Sequence, residues 1–377
     1  MSALTRFKEL IWSISLYREI HIYFDERKRF FKEAKQRFAK EKPEHGSWKD
    51  YKEAFRKHRV TYSEYMYSYE YWHLNEEERD EFISTSEMQV IYRKLGEHEV
   101  RDLFHDKVRF LTAFSPYVHR WWAMVKSLSI DELKEKAAQF DLIAKPVDGT
   151  RGEGIFKIVG KEVVDWKQLY DRLIKEDCLL EQCIVACDEL AAFHPSSLNT
   201  IRVVTISKGD RCEVFGALLR MGAHGSVIDN THAGGVYAPI NVKTGIIEIP
   251  AIDAHNNQYD VHPDTGKQIK GFQVPEWGRI VSTCKEASKT IPDIHFAGWD
   301  LCINRAGQVE IIEGNHAPDF DGGMQAPLKI GVKKRLQKTV MDVLGIDPLP
   351  LISVWKYKKK HVNNRIKIQQ KIQANAD

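Results

Sequence analysis

The chain of 377 residues is long enough for two or three domains and a large core. Its composition, 43% hydrophobic, 29% charged and 11% aromatic, is ordinary for a soluble protein. A net charge of only +3 gives no argument for nucleic acid, and no nucleic-acid partner is expected.

Residues 1 to about 100 read as a helical accessory region. Leu4, Phe7, Ile11 and Ile14 recur at helical spacing with charged residues between them. The apolar run "LIWSISLY" is flanked by charges and is well short of the ~20 residues that span a bilayer, so no signal peptide or membrane span is read there. A cytoplasmic location is expected. "KEKPEHGSW" reads as a loop, and "VTYSEYMYSYEYWHLNEEERDEFIS" carries a row of aromatics expected to pack against another domain.

From about residue 101 the pattern changes. Helical stretches around "HDKVRF" and "WWAMVKSLSIDELKEKAAQF" precede strand-like runs: "DLIAKPV", "GIFKIVG", "CLLEQCIV", "TIRVVTIS", "CEVFGALLRM" and "GIIEIPAI". This is an α+β pattern, mixed in strand direction, divided into lobes at 101–190 and 191–347. "GVKKRLQKTVMDVLG" reads as the closing helix of the second lobe. The segment 348–377 is a basic, polar tail, read as solvated or as a contact for an anionic membrane surface or glycan at the inner face of the membrane. Six cysteines without a CxxC pair lie mostly in apolar segments and read as reduced core thiols; zinc on Cys183 and Cys187 is the sharper alternative.

Three stretches carry chemistry. In "AKPVDGTRGEGIFKI" a strand delivers Lys145, and Gly149, Arg151, Gly152 and Gly154 open a loop whose backbone N–H groups can approach phosphate closely. It is neither a Walker loop nor a dinucleotide fingerprint. In "CLLEQCIVACDEL" a strand ends at Glu181 and Gln182, and Asp188 follows, a pattern able to face a base edge and a ribose. In "GWDLCINRAGQVEIIEGN" a hairpin holds Asp300, Glu313 and Asn315. Glu313 and Asn315 are two apart and point to one face, with Asp300 on the neighbouring strand. Burying these groups without donors or a cation would cost several kcal/mol, and hard oxygen ligands suit Mg2+.

Together these stretches resemble the ATP-grasp superfamily over roughly residues 102–330. "HDK" is similar to the first phosphate-binding lysine, at Lys107, and "KPVDGTRGEGI" to the second, Lys145, with its glycine-rich lid. "EQCIVACD" resembles the adenine hinge, with Glu181, Gln182, Cys183 and Ile184 near the base and Asp188 near the ribose. Asp300, Glu313 and Asn315 look like the magnesium triad. "SLNTIRVVTI", "LLRMG", "DNTHAGGV", "HPDTG", "GWD" and "EGN" resemble, more narrowly, the sugar-transfer-associated ATP-grasp group of bacterial surface-polysaccharide and capsule biosynthesis.

The resemblance implies ATP clamped between two α+β lobes, with Mg2+ as cofactor. It places Arg202 and Arg220 at the transferring phosphoryl and the substrate carboxylate, and Asp229, Asn230, Gly234 and Gly235 along the substrate pocket. The helical, aromatic-rich segment stands where better-known members carry a βαβ domain. The leading expectation is a carboxylate–amine ligase acting through an acyl phosphate, with a uronic-acid-type sugar and an amine as substrates. His316 either assists deprotonation of the amine or plays a structural part. A sugar or polyol kinase using Asp229 as base is the alternative, and a nucleotide-binding regulatory module a third.

Overall fold

Helices make up the first part of the chain in the computed structural model, which describes residues 27–96, 98–147, 154–225, 234–318 and 324–349. A helix over 27–41 precedes Trp48–His58, which starts where the Ser47 side chain accepts the Asp50 N–H and ends at Arg59 with a left-handed φ of 58°. A capping box between Asn75 and Glu78 starts the short helix Glu76–Arg79, and Thr85–Leu95 follows. The aromatic row is the core of this segment. Tyr62 packs edge-on against Phe38, Tyr65 against Tyr51 and Tyr71 against Phe82, and Tyr69 meets Phe82 at a tilt. These rings, expected to pack against another domain, bury one another within the first unit.

The described residues fall into two units, 27–95 with 324–349, and 96–318. The helix Lys333–Leu344, expected to close the second lobe, belongs to the first unit. Two residues account for this. Lys333 donates its N–H to the Glu81 carbonyl at 2.8 Å and pairs through Nζ with Glu87 at 3.0 Å. Buried Gln325 accepts the N–H groups of Ile83 (2.9 Å) and Val332 (3.1 Å), and donates to Tyr69 Oη and the Ile83 carbonyl. One amide thereby ties the late segment around Val332 to Tyr69 and Ile83 of the early one. Among the described residues no helix is long and apolar enough to cross a membrane. The apolar N-terminal run and the basic tail lie outside them.

The second unit is built on two sheets. Strands β1 (Trp122–Met124), β2 (Leu142–Pro146), β3 (Phe156–Ile158) and β4 (Cys178–Gln182) form the smaller, in the order β1-β4-β2-β3. The amphipathic helices Ile130–Gln139 and Trp166–Lys175 bury Leu133, Ala137 and Leu173 in one cluster with Leu142, Ala144 and Leu180 of its strands. The larger sheet has the order β11-β10-β5-β6-β7-β8-β9. Its strands are β5 (Thr200–Lys208), β6 (Arg211–Met221), β7 (Val236–Pro239), β8 (Ala251–Ile252), β9 (Gln258–Tyr259), β10 (Phe296–Ile303) and β11 (Val309–Asn315). Helix Trp277–Thr290 shares a core cluster with this sheet through Ile280, Cys284 and Ala287. Every described pairing is antiparallel, where mixed directions were expected. The pairs β5–β6 and β10–β11 are tight sequential hairpins, a connection that forces antiparallel order.

A single irregularity in β11 sets the site. Ile303 faces Val309 and Leu301 faces Ile311, all core residues. The register then shifts, so that Asp300 faces Glu313, Trp299 faces Gly314 and Gly298 faces Asn315. Ile312 is the extra residue. Because side chains alternate with a period of two, one inserted residue exchanges the faces of everything beyond it. Without the bulge, Glu313 and Asn315 would continue the core face of Val309 and Ile311. With it, Gly314 takes the core side, where an added Cβ would meet Phe110 at 2.7 Å and Phe104 at 3.3 Å. Trp299 packs in the same aromatic layer, 5.6 Å from Phe104 and 5.2 Å from Phe114. Gly314→Ala is accordingly expected to lower the unfolding free energy by about 1–3 kcal/mol through overpacking. Urea denaturation measures this, and an unchanged midpoint would mean that the ring layer yields.

Candidate active site

Asp300 is the centre of the site. It is buried at 4% exposure in the middle of three strands, directly across from Arg202 on β5 and from Glu313 on β11. Arg202 grips it with two parallel bonds, Nε to Oδ1 and Nη2 to Oδ2 (2.6 Å), while Arg220 Nη1 on β6 lies 3.4 Å from Oδ1. Burial alone would raise the Asp300 pKa, but the two guanidinium charges win and hold it well below the usual carboxylate range.

Glu313 has the opposite balance. Although exposed to solvent, it is desolvated by surrounding protein atoms and lies against the Asp300 carboxylate; both push its pKa up to about 7, against the pull of Arg202 and Lys145. Asn315 Nδ2 lies 3.3 Å from Asp300 Oδ2 and 3.5 Å from Glu313 Oε1. Two carboxylates and an amide thus meet on one face of the hairpin. Next to them, His316 is packed 5.0 Å from His105, centroid to centroid. Burial first, then His105 and Arg101, push its pKa down to about 4, so the ring is neutral near pH 7.

On the smaller sheet, Lys145 and Glu181 share a face of the β2–β4 pair, with Glu181 opposite Ile143. Lys145 Nζ contacts Glu181 Oε1 at 2.6 Å, and Arg120 Nε reaches Glu181 Oε2. Burial would raise the Glu181 pKa, yet the Lys145 and Arg120 charges hold it below its ordinary value. The Glu181 side chain is therefore a buried counter-ion of Lys145, not a group turned to a base. Gln182 and Cys183 donate their N–H groups to the carbonyls of Trp121 and Asp141, both at 2.8 Å. Past half-buried Ile184, the chain joins the larger sheet: Cys187 donates to the Ile303 carbonyl at 2.8 Å. Asp188 is exposed and lies 3.8 Å from Arg305. Lys107, one residue inside the helix Lys107–Ala113 capped by Asp106, donates from Nζ to the carbonyls of Pro146 and Val147 at 3.0 Å each. These carbonyls lie where β2 gives way to the glycine-rich loop. Gly154, at φ 72°, ends that loop so close to Pro146 that a Cβ would stand 2.9 Å from its ring.

Five of the expected residues, Gly149, Arg151 and Gly152 of the lid and Asp229 and Asn230 of the substrate loop, lie outside the described residues. The stem of the second loop is described. His262 Nε2 donates to the Gly222 carbonyl at 2.6 Å while Nδ1 accepts the Asp264 N–H at 3.3 Å, an arrangement that requires the neutral ring. Burial lowers its pKa accordingly. The six cysteines are free, and among the described residues no three of His, Cys, Asp and Glu converge, which leaves Cys183 and Cys187 without a zinc ligand set. Sequence reasoning missed Arg120 and Glu310. A lone arginine in "YVHRWW" and a lone acid in "QVEII", both within apolar runs, were the available signals.

The family model described as sugar-transfer associated ATP-grasp matches residues 116–340, more than half of the chain. No curated protein matches the sequence. Among solved structures, ATP-grasp ligase PsnB complexed with its minimal precursor aligns with a TM-score of 0.41 at 13% identity, covering 66% of this chain and 64% of its own. N5-carboxyaminoimidazole synthase from Aspergillus clavatus gives 0.37 at 9% identity (62% and 54% covered), and L-amino acid ligase from Bacillus licheniformis 0.34 at 14% (62% and 48%). The chain spans less than two-thirds of the length of each of these three.

Proposed function

Since the chain belongs to the sugar-transfer-associated ATP-grasp family, we propose that it is an ATP- and Mg2+-dependent carboxylate–amine ligase acting through an acyl phosphate. The observation that carries this reading is the row Arg202, Asp300 and Glu313 across three neighbouring strands, with Asn315 on the same face. This donor set fits Mg2+, because carboxylate and amide oxygens are hard ligands. Asp300 retains lone pairs beyond the two that Arg202 engages. A second carboxylate beside it is a costly arrangement in the absence of a cation. Asp300, Glu313 and Asn315 would hold the ion, which supplies charge neutralisation at the phosphates of the nucleotide.

The chain's own residues do the rest. Lys107 and Lys145, one bonded to the end of β2 and the other within it, would bind phosphate oxygens. Glu181 holds the Lys145 ammonium along the face it shares with that residue. The γ-phosphoryl passes to a substrate carboxylate, giving an acyl phosphate and ADP. The amine then attacks the acyl carbon, phosphate leaves, and Arg220, half-buried beside Asp300, is positioned to stabilise the oxyanion. Neither half requires an enzyme nucleophile.

We assign the carboxylate to a uronic-acid-type sugar and the nucleophile to an amino acid or amine, in bacterial surface-polysaccharide assembly. The family's association with sugar transfer supports this choice. The test is ADP release over a panel of uronates and amines, with products weighed by mass spectrometry. The expected product is the two substrates joined with loss of water. A stable phosphate ester formed without amine would overturn ligase chemistry.

A further inference from the structure

The side chain that couples the two sheets of the second unit is Arg120, and its contacts reach both halves of the site. Its side chain is only 3% exposed, and every nitrogen of the guanidinium finds an acceptor. Nε donates to Glu181 Oε2, and Glu181 in turn holds Lys145 Nζ at 2.6 Å. Nη1 donates to Glu310 Oε1 at 2.6 Å and to the Ile311 carbonyl at 2.8 Å, and Nη2 to the Ile312 carbonyl at 3.1 Å. Glu310 completes the clasp by accepting the His119 N–H at 3.0 Å and the Arg120 N–H at 3.4 Å.

The two carbonyls are those of the bulge. A β-bulge breaks the ladder locally, and the backbone groups it releases need other partners. Here a fork of fixed geometry supplies them. The bulge is also what turns Glu313 and Asn315 out of the core. The same guanidinium therefore fixes the face on which the oxygen ligands stand and, through Glu181, the position of the phosphate-side lysine.

We propose that Arg120 is a positioning residue that locks the β11 bulge, and with it the orientation of Glu313 and Asn315, to the Glu181–Lys145 pair of the smaller sheet. This rests on the reading of those groups as Mg2+ and phosphate ligands. Arg120 acts through Glu181 and the two bulge carbonyls. Burial would weaken the charge on Arg120, but Glu181 and Glu310 more than restore it, in keeping with a permanently charged clasp.

Arg120→Lys keeps a cation between the two glutamates and loses the fork. The Mg2+ concentration that half-saturates ADP binding in calorimetry is expected to rise at least about tenfold, while ADP affinity without Mg2+ moves less than about threefold. Hydrogen exchange across 309–315 in the unliganded protein is expected to speed up. Glu310→Gln, nearly isosteric, retains Arg120 but weakens its anchor, and is expected to move both readouts in the same direction by less. A merely structural role would lower the melting temperature without moving the Mg2+ midpoint. If both variants match wild type in Mg2+ midpoint and in exchange, Arg120 does not position the strand. If wild type itself shows no Mg2+-dependent ADP binding, the ligand reading falls, and the exchange result alone decides whether Arg120 locks the bulge.

Discussion

Asp300→Asn is expected to abolish turnover and to lower the unfolding free energy by about 3–5 kcal/mol, the cost of leaving a buried charge without its partner. The amide keeps the shape of the carboxylate but offers Arg202 only one acceptor. Its NH2 group would face Nε or Nη2, both now donating to the carboxylate oxygens. Arg220, 3.4 Å away, loses its counter-charge at the same time. Two guanidinium groups would remain with no carboxylate between them. ADP release measures the first effect and urea denaturation the second. A variant within about 1 kcal/mol of wild type would mean that Arg202 and Arg220 find other acceptors and that Asp300 is not the hub described.

Glu313→Gln should separate function from stability. Removing one carboxylate from the ligand set is expected to reduce turnover roughly 100-fold or more, since metal-ion charge stabilisation is worth several kcal/mol. The stability effect has the opposite sign. The folded-state pKa is pushed up to about 7, above that of an unfolded glutamate. The contribution of Glu313 to stability is therefore fully present below the unfolded pKa of ~4.3 and is lost as pH rises through about 7. Without Mg2+ at pH 8, Glu313→Gln is expected to be more stable than wild type, and near pH 4 equal to it. The gain is modest because water reaches this side chain. Mg2+ should stabilise wild type more at pH 8 than at pH 5.5 and leave the variant nearly unmoved. Thermal melts at the three pH values, with and without Mg2+, read all of this. A variant less stable than wild type at pH 8 would contradict crowding of the two carboxylates.

The sequence displayed its chemistry more readily than its geometry. The two-residue spacing of Glu313 and Asn315 was sufficient to put that pair on one face, but bringing Asp300 to the same face took the bulge. The device behind that placement left no trace. A bulge is one residue in one strand, and "VEIIEGN" reads equally well as unbroken alternation with Glu313 on the core side. Glu181 was visible as a carboxylate at a strand end, but its role as a buried counter-ion depends on Arg120, whose partners lie 61 and 190 residues away. Pairings over such distances are fixed by strand order, which local pattern does not encode. The closing helix was misplaced for a related reason. Its amphipathic face shows that it packs, but not on what, and Gln325 reaching Ile83 across 242 residues supplies the answer.

That long reach bears on how the chain is made. The first unit draws its parts from both sides of the second, so the early helices leave the ribosome without the Gln325 amide that ties Tyr69, Ile83 and Val332 together. The segment 96–318 is continuous and can fold as soon as it has emerged. During synthesis, then, the middle of the polypeptide is complete first, while the opening segment still waits for the amide that bonds Tyr69 and Ile83.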